Sequence, residues 1–251
     1  MSNNSIGLVG VGYWGKILLE KFQQLNYEVH INDSRSDQLS FPKEVSWVFI
    51  ATPPKTHYKI AYGLLEQGIN VFIEKPPCYS YEDYATLLQL SKNNNCKLYV
   101  NNIFLNRKEL TELDKSFFVS KFIKFEWFKN GPFKNDLISD LLYHDLYILN
   151  SFLNISNIYF EFIINEKNHL HLCGTSNKIK IDFKYNRISS LIKKNIITES
   201  GSVQILKTEE DPLLKLLHDV INYNVGFEKN EHINKKSMIM FENINNLISS
   251  N

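Results

Sequence analysis

The segment Ser5-Ile-Gly-Leu-Val-Gly-Val-Gly-Tyr-Trp-Gly-Lys16 decides the fold, because three glycines at a fixed spacing follow a short apolar run. The run predicts a strand, and residues 16–25 repeat apolar positions at the helical period. In such a unit Gly10 permits a tight turn, Gly12 lets a pyrophosphate reach the backbone, and Gly15 lets the helix pack on the strand. The segment therefore predicts a βα unit that binds a dinucleotide.

The residues around this turn indicate which dinucleotide binds. A second predicted strand, residues 27–32, ends at Asp33, whose carboxylate can accept hydrogen bonds from the ribose hydroxyls of NAD. Arg35 follows two residues later, where a guanidinium could pair with the extra phosphate of NADP. We expect NAD, with NADP as the open alternative. Tyr13 and Trp14 are expected beside the cofactor, although Trp14 could equally be buried against the sheet.

Three further apolar runs, at 45–51, 70–73 and 97–100, alternate with helical patterns at 55–67 and 81–93. This alternation predicts a Rossmann-type parallel sheet, whose ligands bind at the carboxyl ends of the strands. The polar and turn residues that follow the strands there, and that we expect near the cofactor, are Thr52, Pro53, His57, Glu74, Lys75 and Asn102. For His57 a capping or packing role is an equal alternative.

The second half of the chain has a different pattern. Strand-like runs recur at 120–128, 157–164, 169–173, 178–184, 188–198 and 202–206, and helical patterns at 136–152, 212–222 and 234–248. This order predicts an α+β domain on one open, mostly antiparallel sheet. The expected fold class is α/β, with a Rossmann-type domain over residues 1–117 and an α+β substrate and oligomerisation domain over 118–251.

The helix predicted at 136–152 carries two residues, Asp140 and His144, that could act in acid/base chemistry. Asp136 can cap it, and Asp140 and His144 lie four residues apart, a spacing that places both side chains on one helical face. Oxidation of an alcohol needs a base, and histidine has the best-suited ordinary pKa. We hypothesise that His144 is the general acid/base, Asp140 binds substrate and orients the imidazole, and Lys75 polarises the reacting oxygen. A surface Asp–His pair is the alternative.

Four stretches together resemble the glucose-fructose oxidoreductase and inositol dehydrogenase (Gfo/Idh/MocA) family: 7–16, 50–57, 71–77 and 140–144. The resemblance implies the three roles just given to Lys75, Asp140 and His144. It also implies a substrate that is a sugar, a nucleotide sugar or a cyclitol. One face of the second sheet is expected to pair with another subunit, giving a homodimer or a dimer-based tetramer.

Two departures from the family pattern bear on the sites. Only residues 34–45 separate Asp33 from the next strand core, where the family has a helix and a further strand, so we expect a shortened dinucleotide domain. Ile138 and Ser139 stand where the family has glycines before its Asp-x-x-x-His. Other functions remain open: a non-catalytic NAD-binding regulator or partner protein, and a lyase or hydrolase that uses the nicotinamide transiently.

Composition excludes several classes of protein. The 251 residues are 43% hydrophobic and 22% charged with a net charge of +1, which gives no field to gather nucleic acid or an anionic membrane. Three cysteines without paired spacing and no export signal indicate a reduced, cytoplasmic protein. His169 and His171 share a strand face, but with no dependable third ligand we expect no metal.

Overall fold

In the computed structural model the described residues are 4–32, 39–130, 136–153, 155, 157–205 and 211–249. The chain forms two compact units. The first unit comprises residues 1–103 and 211–238, and the second unit comprises residues 104–210 and 239–251. This division differs from the single boundary expected at residue 117, because the chain leaves the first unit at Ile103 and returns to it at Asp211.

The elements are numbered in chain order. The strands are β1 (Ser5–Val9), β2 (Glu28–Asn32), β3 (Trp47–Ile50), β4 (Asn70–Ile73), β5 (Leu98–Val100), β6 (Phe122–Phe128), β7 (Tyr159–Glu166), β8 (His169–Ser176), β9 (Ile179–Asn186), β10 (Lys193–Thr198) and β11 (Gly201–Gln204). The helices are α1 (Tyr13–Gln24), α2 (His57–Glu66), α3 (Tyr81–Asn93), α4 (Lys108–Thr111), α5 (Tyr143–Phe152), α6 (Pro212–Ile221) and α7 (Phe227–Ser249). None of these helices is both long and apolar enough to cross a membrane.

The sheet of the first unit is parallel throughout, in the order β2-β1-β3-β4-β5. The chain turns to one side of β1 to make β2 and to the other side to make β3, β4 and β5. Ligands of such doubly wound sheets bind where the strand order reverses, at the carboxyl ends of the strands. The predicted Rossmann-type sheet is therefore confirmed, and its switch point lies between β1 and β3.

The core of the first unit explains why the chain returns to it after residue 210. Strands β1 and β3 are buried along their whole length, since both sheet faces are covered. Helix α6 supplies Leu213, Leu216, Leu217 and Val220 to the cluster that contains Phe22, Trp47 and Phe49. The apolar face of α6 thus belongs to the first sheet, although it follows the second domain in sequence.

Asn230 on α7 closes the edge of this sheet. Its side-chain Oδ1 accepts a hydrogen bond from the backbone N–H of Val100 at 3.1 Å, and its Nδ2 donates to the carbonyl of the same residue at 2.9 Å. The amide thereby replaces the missing neighbour of edge strand β5, so that its buried backbone groups are paired.

The sheet of the second unit has the order β11-β10-β6-β9-β8-β7. Its strand pairs are antiparallel except β6 with β9, which confirms an open and mostly antiparallel sheet. Burial alternates along β8, with Leu170 and Leu172 fully buried, as expected when one face packs on a core. Helix α5 lies on that face, since the hydroxyl of Tyr185 on β9 donates to Asp145 on α5 at 2.7 Å.

The helix predicted at 136–152 is present but begins differently. Asp136 caps it as expected, accepting a hydrogen bond from the Ser139 N–H at 2.7 Å. Its first turn, Ile138–Leu142, is a π-turn with i→i+5 hydrogen bonds, and the α-helical part starts at Tyr143.

Candidate functional site

The glycine turn joins β1 to α1 in the geometry that the sequence predicts. Gly10 has a φ of +91°, which favours glycine, and a Cβ on Gly15 would lie 1.9 Å from the Gly10 carbonyl oxygen. A Cβ on Gly12 would meet no atom of the described part of the chain within 4 Å. Among the described residues no side chain caps the N-terminus of α1, and its first turn holds no acidic residue, so its N–H groups suit an anion.

The aromatic residues of the turn are exposed. Tyr13 is 78% exposed and Trp14 is 43% exposed, and their rings meet edge to face at 5.8 Å. Burial of Trp14 against the sheet, one of the two alternatives from the sequence, is therefore wrong. Asp33, expected to bond the ribose hydroxyls of NAD, and Arg35, which could pair with the extra phosphate of NADP, lie outside the described residues.

His57 holds two neighbouring loops together at the carboxyl edge of the sheet. Its Nε2 lies 2.9 Å from the carbonyl oxygen of Thr52, after β3, and its Nδ1 lies 2.9 Å from that of Pro76, after β4. The imidazole is fully buried, and this burial lowers its pKa below the ordinary value of 6.5, against the effect of the two backbone bonds. Of the alternatives for His57, the contacts support a packing role. Pro53, between these residues, is exposed.

The residues that follow β4 and β5 form a buried polar group. The Asn101 amide donates to the Glu74 carboxylate at 2.7 Å. Burial raises the pKa of the Glu74 carboxyl, while Asn101 and Lys75 oppose this rise. Asn102 is 2% exposed, and neither polar atom of its amide has a hydrogen-bond partner among the described residues. A buried amide without partners is costly, so this site suits a polar ligand.

His144 lies in the second unit on α5, where it is buried among aromatic rings. Its Nδ1 is 2.9 Å from the hydroxyl oxygen of Tyr147. That hydroxyl also accepts a hydrogen bond from the Phe104 N–H at 3.2 Å. The centroid of the imidazole lies 4.5 Å from that of the Phe104 ring and 5.8 Å from that of Trp127. The contact with Tyr147 and the packing of the Phe104 and Trp127 rings thus fix the orientation of the His144 ring.

Asp140 is held by an arginine. Its carboxylate forms an ion pair with the guanidinium of Arg187 at 2.5 Å, and the carboxylate is about one-fifth exposed. The spacing in sequence indicated an interaction of Asp140 with His144, and it did not indicate Arg187. Since Arg187 comes from the loop after β9, 47 residues away, no local pattern could have identified it.

Three more residues near His144 were missed by sequence reasoning. Tyr147 follows it by three residues, a helical spacing that could have been noticed. Asp145 and Lys194 are both buried and lie 3.6 Å apart. Lys194 gave no signal, because a lysine in a strand is normally read as an exposed position.

His169 and His171 lie on one face of β8, as their spacing predicts. His171 lies on the sheet face opposite Leu170, where its Nε2 is 2.8 Å from the carboxylate of Asp182. The described part of the chain holds no group of three or more His, Cys, Asp or Glu side chains suited to a metal ion.

Comparison with known proteins agrees with this architecture. Residues 18–102 match the GFO_IDH_MocA family model, described as an oxidoreductase family with an NAD-binding Rossmann fold. The UDP-N-acetylglucosamine 3-dehydrogenase of Acidithiobacillus ferrooxidans is 25% identical over 162 residues, which cover 56% of this chain and 51% of that protein. The match therefore spans about half of the relative's length.

Solved structures extend the likeness of fold to nearly the whole chain. The WlbA dehydrogenase from Thermus thermophilus, in complex with NAD and α-ketoglutarate, has a TM-score of 0.77 and 13% identity and covers 94% of both chains. The A. ferrooxidans UDP-N-acetylglucosamine 3-dehydrogenase has a TM-score of 0.75 and 15% identity, covering 93% of this chain and 94% of that one. The family match confirms the expected family and NAD as its dinucleotide. Residues 18–102 thus match the NAD-binding Rossmann fold of the Gfo/Idh/MocA oxidoreductase family.

Proposed function

We propose that this protein is a nicotinamide-dependent dehydrogenase that oxidises a hydroxyl-bearing carbon of a nucleotide sugar to a carbonyl, or reduces that carbonyl in the reverse direction. The observation that carries the proposal is the buried His144, whose Nδ1 is held by Tyr147 between the rings of Phe104 and Trp127. A histidine fixed in this way at one nitrogen exchanges protons at the other, which is the requirement for a directed acid/base.

The first unit supplies features that fit a dinucleotide. The open space at Gly12 and the uncapped N-terminus of α1 suit a pyrophosphate. The unpartnered amide of the buried Asn102 lies after β5, at the carboxyl edge where cofactors of this fold bind. A bound nicotinamide would accept or donate the hydride. NAD is the expected form, and use of NADP stays open since Asp33 and Arg35 lie outside the described residues.

The acid/base step follows from the contacts of His144. When an alcohol is oxidised, a neutral imidazole with Nδ1–H directed at the Tyr147 oxygen can take the substrate proton at Nε2. In the reverse reaction the same nitrogen returns the proton. Tyr147 can serve both states, because a hydroxyl oxygen has two lone pairs and can accept from both the Phe104 N–H and the imidazole Nδ1–H.

Lys75 and Asp140 have supporting roles in this proposal. Lys75 follows β4 at the carboxyl edge of the first sheet, and its positive charge would stabilise the alkoxide that forms as the hydroxyl proton leaves. Asp140, fixed by Arg187, presents a partly exposed carboxylate that can accept a hydrogen bond from a substrate hydroxyl.

The substrate class rests on the relatives. One is a UDP-N-acetylglucosamine 3-dehydrogenase, and the WlbA dehydrogenase structure also exists as a complex with NAD and UDP-GlcNAcA. Free sugars and cyclitols are the other members of the substrate panel. Reduction of NAD would be followed by absorbance with each compound.

Two substitutions test the mechanism. We expect His144→Gln and Lys75→Met to lower kcat by about 10²- to 10⁴-fold, the usual contribution of an acid/base or charge-stabilising group. NAD affinity, measured by titration calorimetry, should stay within a few-fold for His144→Gln.

The matched control is His171→Gln, which removes an imidazole on the opposite face of the second sheet and should keep full turnover. Normal turnover in His144→Gln would remove the residue from the mechanism. Wild-type protein that binds NAD but turns over no compound of the panel would support the non-catalytic binding protein instead.

A further inference from the structure

The second unit buries a lysine in a strand position that normally takes an apolar residue. Lys194 lies on β10 on the same face as the buried Ile196, and it is only 9% exposed. Its ammonium lies 3.7 Å from the centroid of the Phe104 ring and 3.5 Å from that of Trp127. Such distances are short for cation–π contacts, so the charge is enclosed by aromatic faces instead of water.

A carboxylate accompanies this ammonium. Asp145 Oδ1 lies 3.6 Å from Lys194 Nζ, and its Oδ2 accepts the hydrogen bond from Tyr185. Asp145 is 2% exposed, and burial raises the pKa of its carboxyl while Lys194 and Tyr185 lower it. An apolar pair would fill this space at lower cost in desolvation, so stability alone does not account for a buried ion pair here.

The rings that enclose Lys194 are also the rings that hold His144. Phe104 contacts the imidazole edge to face, with the planes at 81°, and Trp127 lies on it at a tilt of 40°. Phe104 and Trp127 also contact each other, at 5.7 Å between centroids. The ammonium and the imidazole are therefore linked through two shared aromatic neighbours.

We propose that Lys194 is a positioning residue for His144. Its ammonium, anchored by Asp145, fixes the Phe104 and Trp127 rings against the imidazole and places a positive charge beside them. This inference rests on the proposed function, since it assigns Lys194 a part in preparing the acid/base of that site.

Several groups around His144 contribute to its electrostatic environment. Helix α5 contributes Asp145 and Tyr147, and the π-turn contributes Asp140 with its partner Arg187. Strand β9 contributes Tyr185 and strand β10 contributes Lys194. The segment before α4 contributes Arg107, whose guanidinium lies 5.5 Å from the Phe104 centroid. Asp145 is paired with Lys194, and Asp140 is paired with Arg187. Lys194 and Arg107 both lie over the Phe104 ring, and a further positive charge on the imidazole beside that ring is disfavoured.

The consequence is a histidine that stays neutral in the resting protein. A neutral imidazole is the form that accepts a proton when an alcohol is oxidised. Removal of the Lys194 charge should therefore favour the imidazolium, and the pKa of His144 should rise.

The experiment follows the NMR signal of the His144 ring during a pH titration of the full chain without cofactor or substrate. The signal is assigned by its loss in His144→Gln. We expect Lys194→Met to raise the His144 pKa by about one pH unit, the size of a charge interaction across several ångströms of protein. Lys194→Arg, which keeps the charge and can stack on the rings, should restore most of the wild-type value.

Lys193→Met is the matched control. It removes the same charge from the adjacent residue, which lies on the opposite face of β10 and pairs with Glu126. It should leave the titration of His144 unchanged. If Lys194→Met fails to fold, Lys194→Gln removes the same charge but keeps a hydrogen-bond donor for the Asp145 carboxylate, and it should shift the pKa in the same direction.

A His144 pKa that is the same in wild type and in Lys194→Met, or in Lys194→Gln, would overturn the proposal. So would an equal shift in Lys193→Met, since a remote charge would then have the same effect. The titration needs no turnover, so its failure can be told apart from failure of the proposed function: an inactive wild type refutes the latter and leaves this measurement intact. In an active enzyme, the lower limb of the kcat–pH profile should move to higher pH in Lys194→Met.

Discussion

Single residues in the glycine turn have separable tasks, which two alanine variants can distinguish. A Cβ on Gly15 would collide with the Gly10 carbonyl oxygen, so Gly15→Ala must push α1 away from β1. We expect a loss of about 3 kcal/mol in the free energy of unfolding, measured by urea denaturation. Gly12 faces open space at a φ of −68°, so Gly12→Ala should cost about 1 kcal/mol or less.

Gly12→Ala also tests where the dinucleotide binds. Because its stability should be nearly native, a change in its NAD affinity would reflect the binding site and not unfolding. A methyl group at Gly12 would occupy the space that we assign to the pyrophosphate. We expect the Kd for NAD to rise at least about tenfold, or about 1.4 kcal/mol. Wild-type affinity in Gly12→Ala would place the dinucleotide elsewhere.

The backbone geometry of single residues was predictable where a local sequence rule determines it. The spacing of Gly10, Gly12 and Gly15 corresponds to one backbone geometry, and the turn has that geometry. The surroundings of His144 were not predictable, because Phe104, Trp127 and Lys194 come from three distant segments. Only Tyr147, on the same helix, was within reach of a sequence pattern.

At the scale of elements, His57 joins the loops after β3 and β4 and makes their attachment depend on pH. Burial lowers its pKa in the folded chain below 6.5, so the unfolded chain binds this proton more readily in the window just below 6.5. Stability from His57 is present above 6.5 and is lost as the pH falls through that window. We expect the Tm of the wild type to fall between about pH 7.5 and 5.5.

The variant His57→Gln isolates this contribution. It should lose about 1 to 3 kcal/mol at neutral pH, because the neutral imidazole donates to one buried carbonyl, which then loses its donor, and its Tm should then vary less with pH. The control is His218→Gln, which removes an exposed imidazole on α6 and should keep the wild-type dependence of Tm on pH. Variants are compared with wild type because the raised pKa of Glu74 makes stability fall with rising pH above 4.5, opposite to the effect of His57. Equal pH slopes in wild type and His57→Gln would contradict the assignment.

Elements with strong periodicity were predicted well. Strand β4 and helix α3 have the bounds expected from sequence, because apolar runs and a Ser80 cap mark their ends. Helix α7 begins at Phe227, seven residues before the expected start, since its first turns are polar and pack through Asn230. The π-turn before α5 had no signal in the sequence, because an extra residue in a turn leaves the apolar pattern nearly intact.

At the scale of the whole molecule, the discontinuity of the first unit was hidden from sequence. The chain order suggested that the closing helices belong with the strands that precede them. Only the packing of Leu216 and Leu217 on Phe49 and Trp47 shows that α6 belongs to the first sheet. Chain order and unit membership differ whenever one domain is inserted within another.

The expected homodimer remains a prediction, and the loop between β9 and β10 offers a place to test it. Three apolar side chains project there into solvent: Ile188 is 66% exposed, Leu191 63% and Ile192 81%. A cluster of this kind marks an interaction surface when it is not an isolated side chain. If the loop takes part in pairing, a charge at its centre should weaken association.

Light scattering at micromolar concentration should give the mass of a dimer or tetramer for the wild type and a lower mass for Leu191→Glu. The control is Val119→Glu, which charges an equally apolar side chain, 78% exposed, at the opposite end of β6. It should keep the wild-type mass, because the two ends of the sheet are about seven strand residues apart, roughly 20 Å. A wild type that scatters as a monomer would refute the dimer, and an unchanged mass in Leu191→Glu would move the interface away from this loop to another part of the sheet.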